Sequence, residues 1–216
     1  MDSNYCTERL QLGDPMPQLC NEPIETAEVD TSIKRTKKKK ASGDDDTKNE
    51  HFRNLDVMSR CALQRLFREL FDLYDSESDA KEYLPEPWRT SILQFLDKSS
   101  TKDKTVLTQK RGIRLLSCFS KLFRQVLNQR LRVVTSTLLR DTQSLKHNEG
   151  CSTNCLILTQ KIGERIERGQ NTFVVFIDLV KAFDTVRRNL LWARYRSLGL
   201  CGKLFWALKA GYGERT

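Results

Sequence analysis

The sequence predicts a mixed fold, α/β in the α+β sense, rich in helix and sparing in strand. Three observations predict it. Apolar residues recur at spacings of three and four in one segment after another, as on the buried stripe of a helix. Two short β-forming runs flank a Ser/Thr/Lys-rich loop between residues 91 and 117. One wholly apolar run, Phe173-Val174-Val175-Phe176-Ile177, ends abruptly at Asp178.

The elements follow in order. Residues 1–25 hold three of the five prolines and no periodicity, and read as a linker or frayed arm, with the first domain boundary after residue 22. Residues 26–38 suit a short helix that runs into Lys37-Lys38-Lys39-Lys40. The switch from those lysines to Asp44-Asp45-Asp46 predicts a turn or loop. Cys61, Leu63, Leu66, Phe67, Leu70, Phe71 and Tyr74 mark the apolar face of a helix, which dissolves into the acidic stretch 72–82. Leu84-Pro85-Glu86-Pro87-Trp88 is a stiff connector, because each proline fixes its own φ and restricts its predecessor. Ser91–Leu96 and Ile113–Ser117 are predicted as a hairpin with a basic tip at 98–110. Phe119, Leu122, Phe123, Val126, Leu127 and Leu131 make the next apolar face, with Lys121, Arg124, Asn128 and Arg132 opposite. A further helix starts after the cap-forming cluster Ser152-Thr153-Asn154 and stops near Gly169. The run Phe173–Ile177 has no polar alternation, so it reads as a strand covered on both faces. Helices at Arg187–Leu198 and Lys203–Ala210 close at Gly199 and Gly211.

Composition narrows the function. The chain has 216 residues, 38% of them hydrophobic and 30% charged, enough for one large domain or two small ones. No apolar run reaches the ~18 residues of a membrane span. The first residues are acidic and polar where a signal peptide needs a basic and then an apolar stretch. An intracellular, reducing compartment is expected, and seven scattered cysteines suit it. Cys151 and Cys155, with His147 four residues before, have a spacing that one helix face could use for zinc. No CxxC pair accompanies them and Gly150 interrupts, so ordinary thiols are expected. Nothing in the sequence points to an oligomer. The net charge is +9, and it is concentrated. From Lys98 to Arg140 there are eleven Lys/Arg against the single acid Asp103, an excess that exceeds that of the whole chain. Such a block points to a polyanion, nucleic acid first, or else to a solvated lysine-rich face.

A carboxylate at the end of a rigid strand is a good place to hold a metal ion. Two-metal nucleotidyl transfer needs such a group, and it needs more carboxylates from elsewhere in the chain. Asp184 is the obvious local candidate. Six residues of helix or turn would rotate it away from Asp178, so a backbone-capping role is expected for it.

The segment Phe176-Ile177-Asp178-Leu179-Val180-Lys181-Ala182-Phe183-Asp184-Thr185-Val186, with Leu190-Leu191-Trp192 after it, resembles the first palm motif of reverse transcriptases of non-LTR (LINE-type) retrotransposons. The resemblance continues upstream in the family's order. Lys40-Ala41-Ser42-Gly43 with Asp45 resembles its Lys-Ala-Pro/Ser-Gly-x-Asp-Gly segment. Leu66-Phe67 and Leu84-Pro85-Glu86-Pro87-Trp88-Arg89 resemble its helix and its Ile-Pro-x-x-Trp-Lys turn. Arg111-Gly112-Ile113, Leu115-Leu116-Ser117, Lys121-Leu122 and Arg130-Leu131 resemble its Tyr-Arg-Gly/Pro-Ile-Ser-Leu-Leu-Ser block and following helix. Gly150, Ser152 and Thr153 resemble the remains of Gly-Arg-Ser-Thr. The resemblance spans about residue 23 to the end.

It implies a partial right-hand polymerase fold: helix-rich fingers over 23–140, then over 141–216 the first palm strand and helices of a truncated palm. It implies RNA-directed DNA polymerisation, with magnesium, an RNA template, a DNA primer and deoxynucleoside triphosphates. Asp178 takes the place of the catalytic, metal-binding aspartate. Phe183 takes that of the aromatic under the sugar, which excludes a 2′-hydroxyl by steric collision. Arg111 and Lys98 match the fingers residues that contact the triphosphate, a planar fork and a point charge. Lys121, Arg124 and Arg132 are the expected nucleic-acid contacts. Lys34-Arg35 and Lys37–Lys40 have the composition of a nuclear-localisation signal, although the resemblance assigns them to a helix end and loop.

The sequence also departs from the family. Phe95 stands for a proline, Cys151 for an arginine, Cys155 for an aspartate and Asp46 for a glycine. The family's Gly-rich template helix and its Ala-Asp-Asp hairpin are missing from these 216 residues. The chain is therefore expected to be inactive alone, and the alternative reading is a non-catalytic, basic nucleic-acid-binding protein.

Overall fold

The computed structural model describes residues 20–75, 83–97, 110–135, 150–180, 182–183 and 185–212. Among them the chain forms eight helices and one two-stranded antiparallel sheet. They fall into two units, residues 1–131 with 199–216, and residues 132–198.

In the first unit, α1 (Thr26–Arg35) opens with a reciprocal cap in which Glu28 accepts from the Glu25 amide at 2.9 Å. Its last carbonyls are met from α2 (Asn49–Arg53): Arg53 donates to Lys34 O and Thr36 O, each at 3.0 Å. Asp56 caps α3 (Val57–Asp72) by accepting from Ser59 N at 2.9 Å. Leu63, Phe67, Leu70 and Phe71 form its buried stripe, with Tyr74 just beyond, whereas Cys61 and Leu66 of the predicted face are exposed. The stiff connector is one helical turn, α4 (Glu86–Arg89), since prolines at the cap and second position occupy sites whose N–H groups have no helical partner. β1 (Ser91–Asp97) and β2 (Lys110–Leu116) pair with Ser91 opposite Leu116 and Asp97 opposite Lys110. α5 (Cys118–Thr135) buries Leu122, Phe123, Val126 and Leu127.

An aromatic cluster joins these helices. Trp88 meets Phe67 edge-on at 6.0 Å, Phe67 meets Phe123 at 5.3 Å, and Trp88 stacks on Phe119 at 6.1 Å. Such pairs each add about 0.5–1.5 kcal/mol beyond burial.

Two features depart from the sequence reading here. Cys20 and Ile24 are fully buried, so the stretch read as an arm enters the core by residue 20. α8 (Gly202–Gly211), assigned from sequence to the last region, packs against α3 instead. Lys203 Nζ reaches Asp72 at 2.7 Å, and the Lys203 amide donates to Asn21 Oδ1 at 2.9 Å.

The second unit contains α6 (Cys151–Glu167) and α7 (Arg188–Ser197). Gly150 is the N-cap of α6, so the Ser152-Thr153-Asn154 cluster lies inside the first turn rather than before it. Gly169, at φ +66°, ends it: its amide and that of Gln170 meet Ile166 O and Arg165 O at 2.9 Å. The predicted strand is not formed. Thr172–Ile177 pairs with no strand among the described residues, and Phe173, Phe176 and Ile177 are 92%, 84% and 85% exposed. Apolar content suits a residue to a sheet, but the N–H and C=O groups of a strand need a neighbour to pair with. None of the described segments supplies one.

Candidate functional site

Residues 41–47 meet the junction between β2 and α5, although some 70 positions separate them. Gly43 is buried there, and a Cβ on it would lie 2.6 Å from the Leu116 carbonyl group and from Ser117 N. Only glycine lets the two backbones approach so closely. Ser117 Oγ donates to Asp45 Oδ2 at 2.7 Å and accepts from Phe119 N at 3.2 Å, so one hydroxyl ties the loop to the first turn of α5. Asp45 Oδ1 also accepts from Thr47 N at 3.2 Å. Lys121 Nζ reaches Ala41 O at 3.5 Å. Below them Cys118 is buried, and burial raises its thiol pKa.

The loop bends through two left-handed residues, Lys39 at φ +56° and Asp46 at φ +49°. Asp46 stands at the position where the resemblance places a glycine, and its conformation is one that glycine adopts without strain. The Lys39 amide donates to Glu50 Oε1 at 2.6 Å, and this bond holds the Glu50 carboxyl below its ordinary pKa.

From this junction the hairpin projects. Arg111 is opposite Leu96, on the face that also carries Ile92, Gln94, Ile113 and Leu115. The other face carries Leu93 and Phe95, which close over Gly112, with Arg114 beside them. Lys110 pairs with Asp97 at 3.7 Å where the strands end. Arg111 and Arg114 are exposed, as are Ile92, Leu93, Phe95 and Leu96. Lys98 and the rest of the predicted tip lie outside the described residues.

Among the described residues the basic block is not one surface. Arg130 is buried, 1% exposed, and belongs to the core. It donates to both Glu28 carboxylate oxygens, at 2.7 and 2.6 Å, and to Glu22 O and Pro23 O at 2.5 and 2.9 Å. Its guanidinium lies 5.0 Å from the centre of the Phe71 ring. The sequence carried a signal for this: Arg130 continues the spacing of Phe123, Val126 and Leu127. Arg124 is half-buried, and a Cβ on Gly211 would lie 3.9 Å from its Cζ; burial raises the pKa of Tyr74, against the smaller opposing pull of the Arg124 charge. Lys121 is half-buried and Arg132 exposed. The structure therefore brings Lys121 to the Gly43 junction, while Arg111 projects on the hairpin.

In the second unit Asp178 is exposed after the apolar run, and Phe183 is 86% exposed in the turns that follow. Asp184 lies outside the described residues. No group of three or more His, Cys, Asp and Glu side chains comes together among the described residues. Asp178 has the oxygen ligands magnesium prefers, but a metal pair needs several carboxylates, so the described residues do not complete such a site.

No protein-family model matches this sequence, and no curated protein matches it. Among the described residues no helix is long and apolar enough to cross a membrane.

Proposed function

We propose that this chain is the fingers and opening palm of a non-LTR-type RNA-directed DNA polymerase, a partial right-hand fold. The observation that carries the reading is the junction of Gly43, Asp45 and Ser117. It unites two of the segments on which the resemblance rests, at the root of the hairpin that presents Arg111. A third segment joins through Ser120, whose hydroxyl donates to Trp88 O at 3.2 Å. A loop and a hairpin locked together this way hold an exposed arginine fork on a fixed base, which suits a triphosphate or a phosphate backbone.

In this reading the partners are an RNA template, a DNA primer and deoxynucleoside triphosphates. Arg111 and Lys98 contact the triphosphate, Phe183 excludes the 2′-hydroxyl, and Asp178 is the one metal-binding carboxylate present. Lys121, Arg124 and Arg132 serve the template and primer. Because the sequence holds no Ala-Asp-Asp to supply the further carboxylates of this reading, these 216 residues bind nucleic acid and nucleotide without turning them over. That conclusion is shared by the second reading, a non-catalytic nucleic-acid-binding protein. The side chains of Lys34, Arg35 and Lys37–Lys40 are exposed, which supports nuclear import.

The test is a titration of a fluorescent deoxynucleoside triphosphate into the chain bound to a primed RNA template. Arg111→Gln is expected to weaken nucleotide binding by about 10- to 150-fold, the loss of a charge-assisted contact of roughly 1.5–3 kcal/mol. Equal binding by wild type and variant contradicts the role of Arg111. Incorporation of labelled nucleotide that Asp178→Ala abolishes contradicts the inactivity.

A further inference from the structure

The run that ends at Asp178 has the composition of a strand and no neighbour to pair with. No hydrogen bond joins the backbone of Phe173–Ile177 to any described residue. The side chains are as open as the backbone: Phe173, Val175, Phe176 and Ile177 are each at least 80% exposed. The two phenylalanines alone, at about 150–250 Å² for a whole ring, expose roughly 260–440 Å². Val175, Ile177, Leu179, Val180 and Phe183 add to this, each 70–86% exposed. The apolar surface therefore exceeds the roughly 300–600 Å² of the largest patch on a typical monomer, and is on the order of the 800 Å² that each partner of a stable complex covers.

The order of residues in the run suits a second copy of itself. A two-fold pair of antiparallel strands sets one residue of each copy opposite itself on the axis. With Val175 there, Phe173 faces Ile177 and Val174 faces Phe176, so all five residues find partners within the run. Every ring then meets a β-branched side chain, a favourable cross-strand pair. The same register sets Asp178 of one copy opposite Thr172 of the other, on one face of the ribbon. Thr172 Oγ1 accepts from Arg165 Nε at 3.1 Å, and the Arg165 guanidinium also donates to Asn171 O at 3.2 Å. An exposed guanidinium thus stands on the face where the exposed Asp178 carboxylate of the second copy arrives, and symmetry makes the pair twice. We infer that this surface joins two copies of the chain in a closed dimer, with Phe173–Ile177 paired antiparallel about Val175. The inference goes beyond the proposed function and does not depend on it.

The experiment is sedimentation equilibrium of the full chain over a dilution series. The mass is expected to level off at twice that of one chain. Val175→Pro removes the amide on the axis and fits no paired strand, so it should leave a monomer. Val175 is 80% exposed, so at dilutions where the wild type is also monomeric the melting curves of the two should coincide. Asp178→Arg alone, or Arg165→Asp alone, should weaken the dimer about 2- to 30-fold, because two exposed ion pairs are lost together. The two changes combined should restore it. A wild type that is monomeric at every concentration overturns the inference, as does a mass that grows past the dimer without limit. A dimer that survives Val175→Pro, single charge changes without effect, or a combined variant without rescue also overturns the pairing.

Discussion

Replacing Gly43 with alanine puts a methyl group where the structure has no room. The added carbon would lie 2.6 Å from three backbone atoms, Leu116 C, Leu116 O and Ser117 N. These atoms belong to the end of β2 and its exit into α5, so they cannot swing aside as a side-chain tip can. Forcing an extra methyl group into a packed site costs about 1–3 kcal/mol. If the loop retreats instead, the bond from Ser117 Oγ to Asp45 at 2.7 Å is lost, and a bond to a charged group contributes roughly 1.5–3 kcal/mol. Either route places the cost at about 1–3 kcal/mol, a sizeable part of a typical domain stability of about 5–15 kcal/mol. Urea unfolding followed by circular dichroism and tryptophan fluorescence measures it. Gly163→Ala is the control: it lies within α6 with nothing within 4 Å of a new Cβ, so the same change should stabilise by about 0.5–1 kcal/mol. A Gly43→Ala variant within about 0.5 kcal/mol of wild type would show that loop and hairpin root are not packed as described.

Three further outcomes follow from the first unit. Arg130→Met removes the buried guanidinium that binds both Glu28 carboxylate oxygens and two backbone carbonyls, and should lower stability by about 3–5 kcal/mol in the same urea titration. Asp46→Gly relieves a left-handed aspartate at φ +49°; the gain, offset by the freer unfolded chain, should be a few tenths to about 1 kcal/mol in a melting curve. Bonds from Lys39 N and Ser59 hold the Glu50 and Asp56 carboxyls below their ordinary values of 4.5 and 3.8. The unfolded chain takes up these protons first, so stability should be constant above the ordinary values and fall as pH drops through the depressed ones. Glu50→Gln with Asp56→Asn should flatten that acid limb in melting curves recorded against pH.

Much of the fold was legible because its signals are local. The stripe of Leu63, Phe67, Leu70 and Phe71 and that of Phe123, Val126 and Leu127 have helical spacing whatever they pack against. Gly169 and Gly199, at φ +66° and +87°, end helices where the sequence placed their stops. Signals that depend on a partner were misleading. Phe173–Ile177 has strand composition, yet strand pairing is a property of two segments, and among the described residues only 91–97 and 110–116 provide it. Arg130 counted as surface charge because its carboxylate partner, Glu28, lies about a hundred residues away. The junction at Gly43 was visible only as a resemblance, since no spacing within residues 40–45 names Leu116 or Ser117 as a neighbour. Of the candidate site residues, Lys121 lies at the hairpin root and Arg111 near the far end of the strands, while Asp178 and Phe183 stand exposed in the second unit.

Whether this chain grips a primed RNA template is tested most directly by its affinity for an RNA–DNA hybrid as a function of salt. Binding is expected at about 50 mM salt and weakens steeply toward about 200 mM, with Arg132→Gln, at a proposed template and primer contact, making the slope of log K against log salt shallower by about 0.9. Absence of binding at the lower salt, or an affinity that salt does not change, contradicts it.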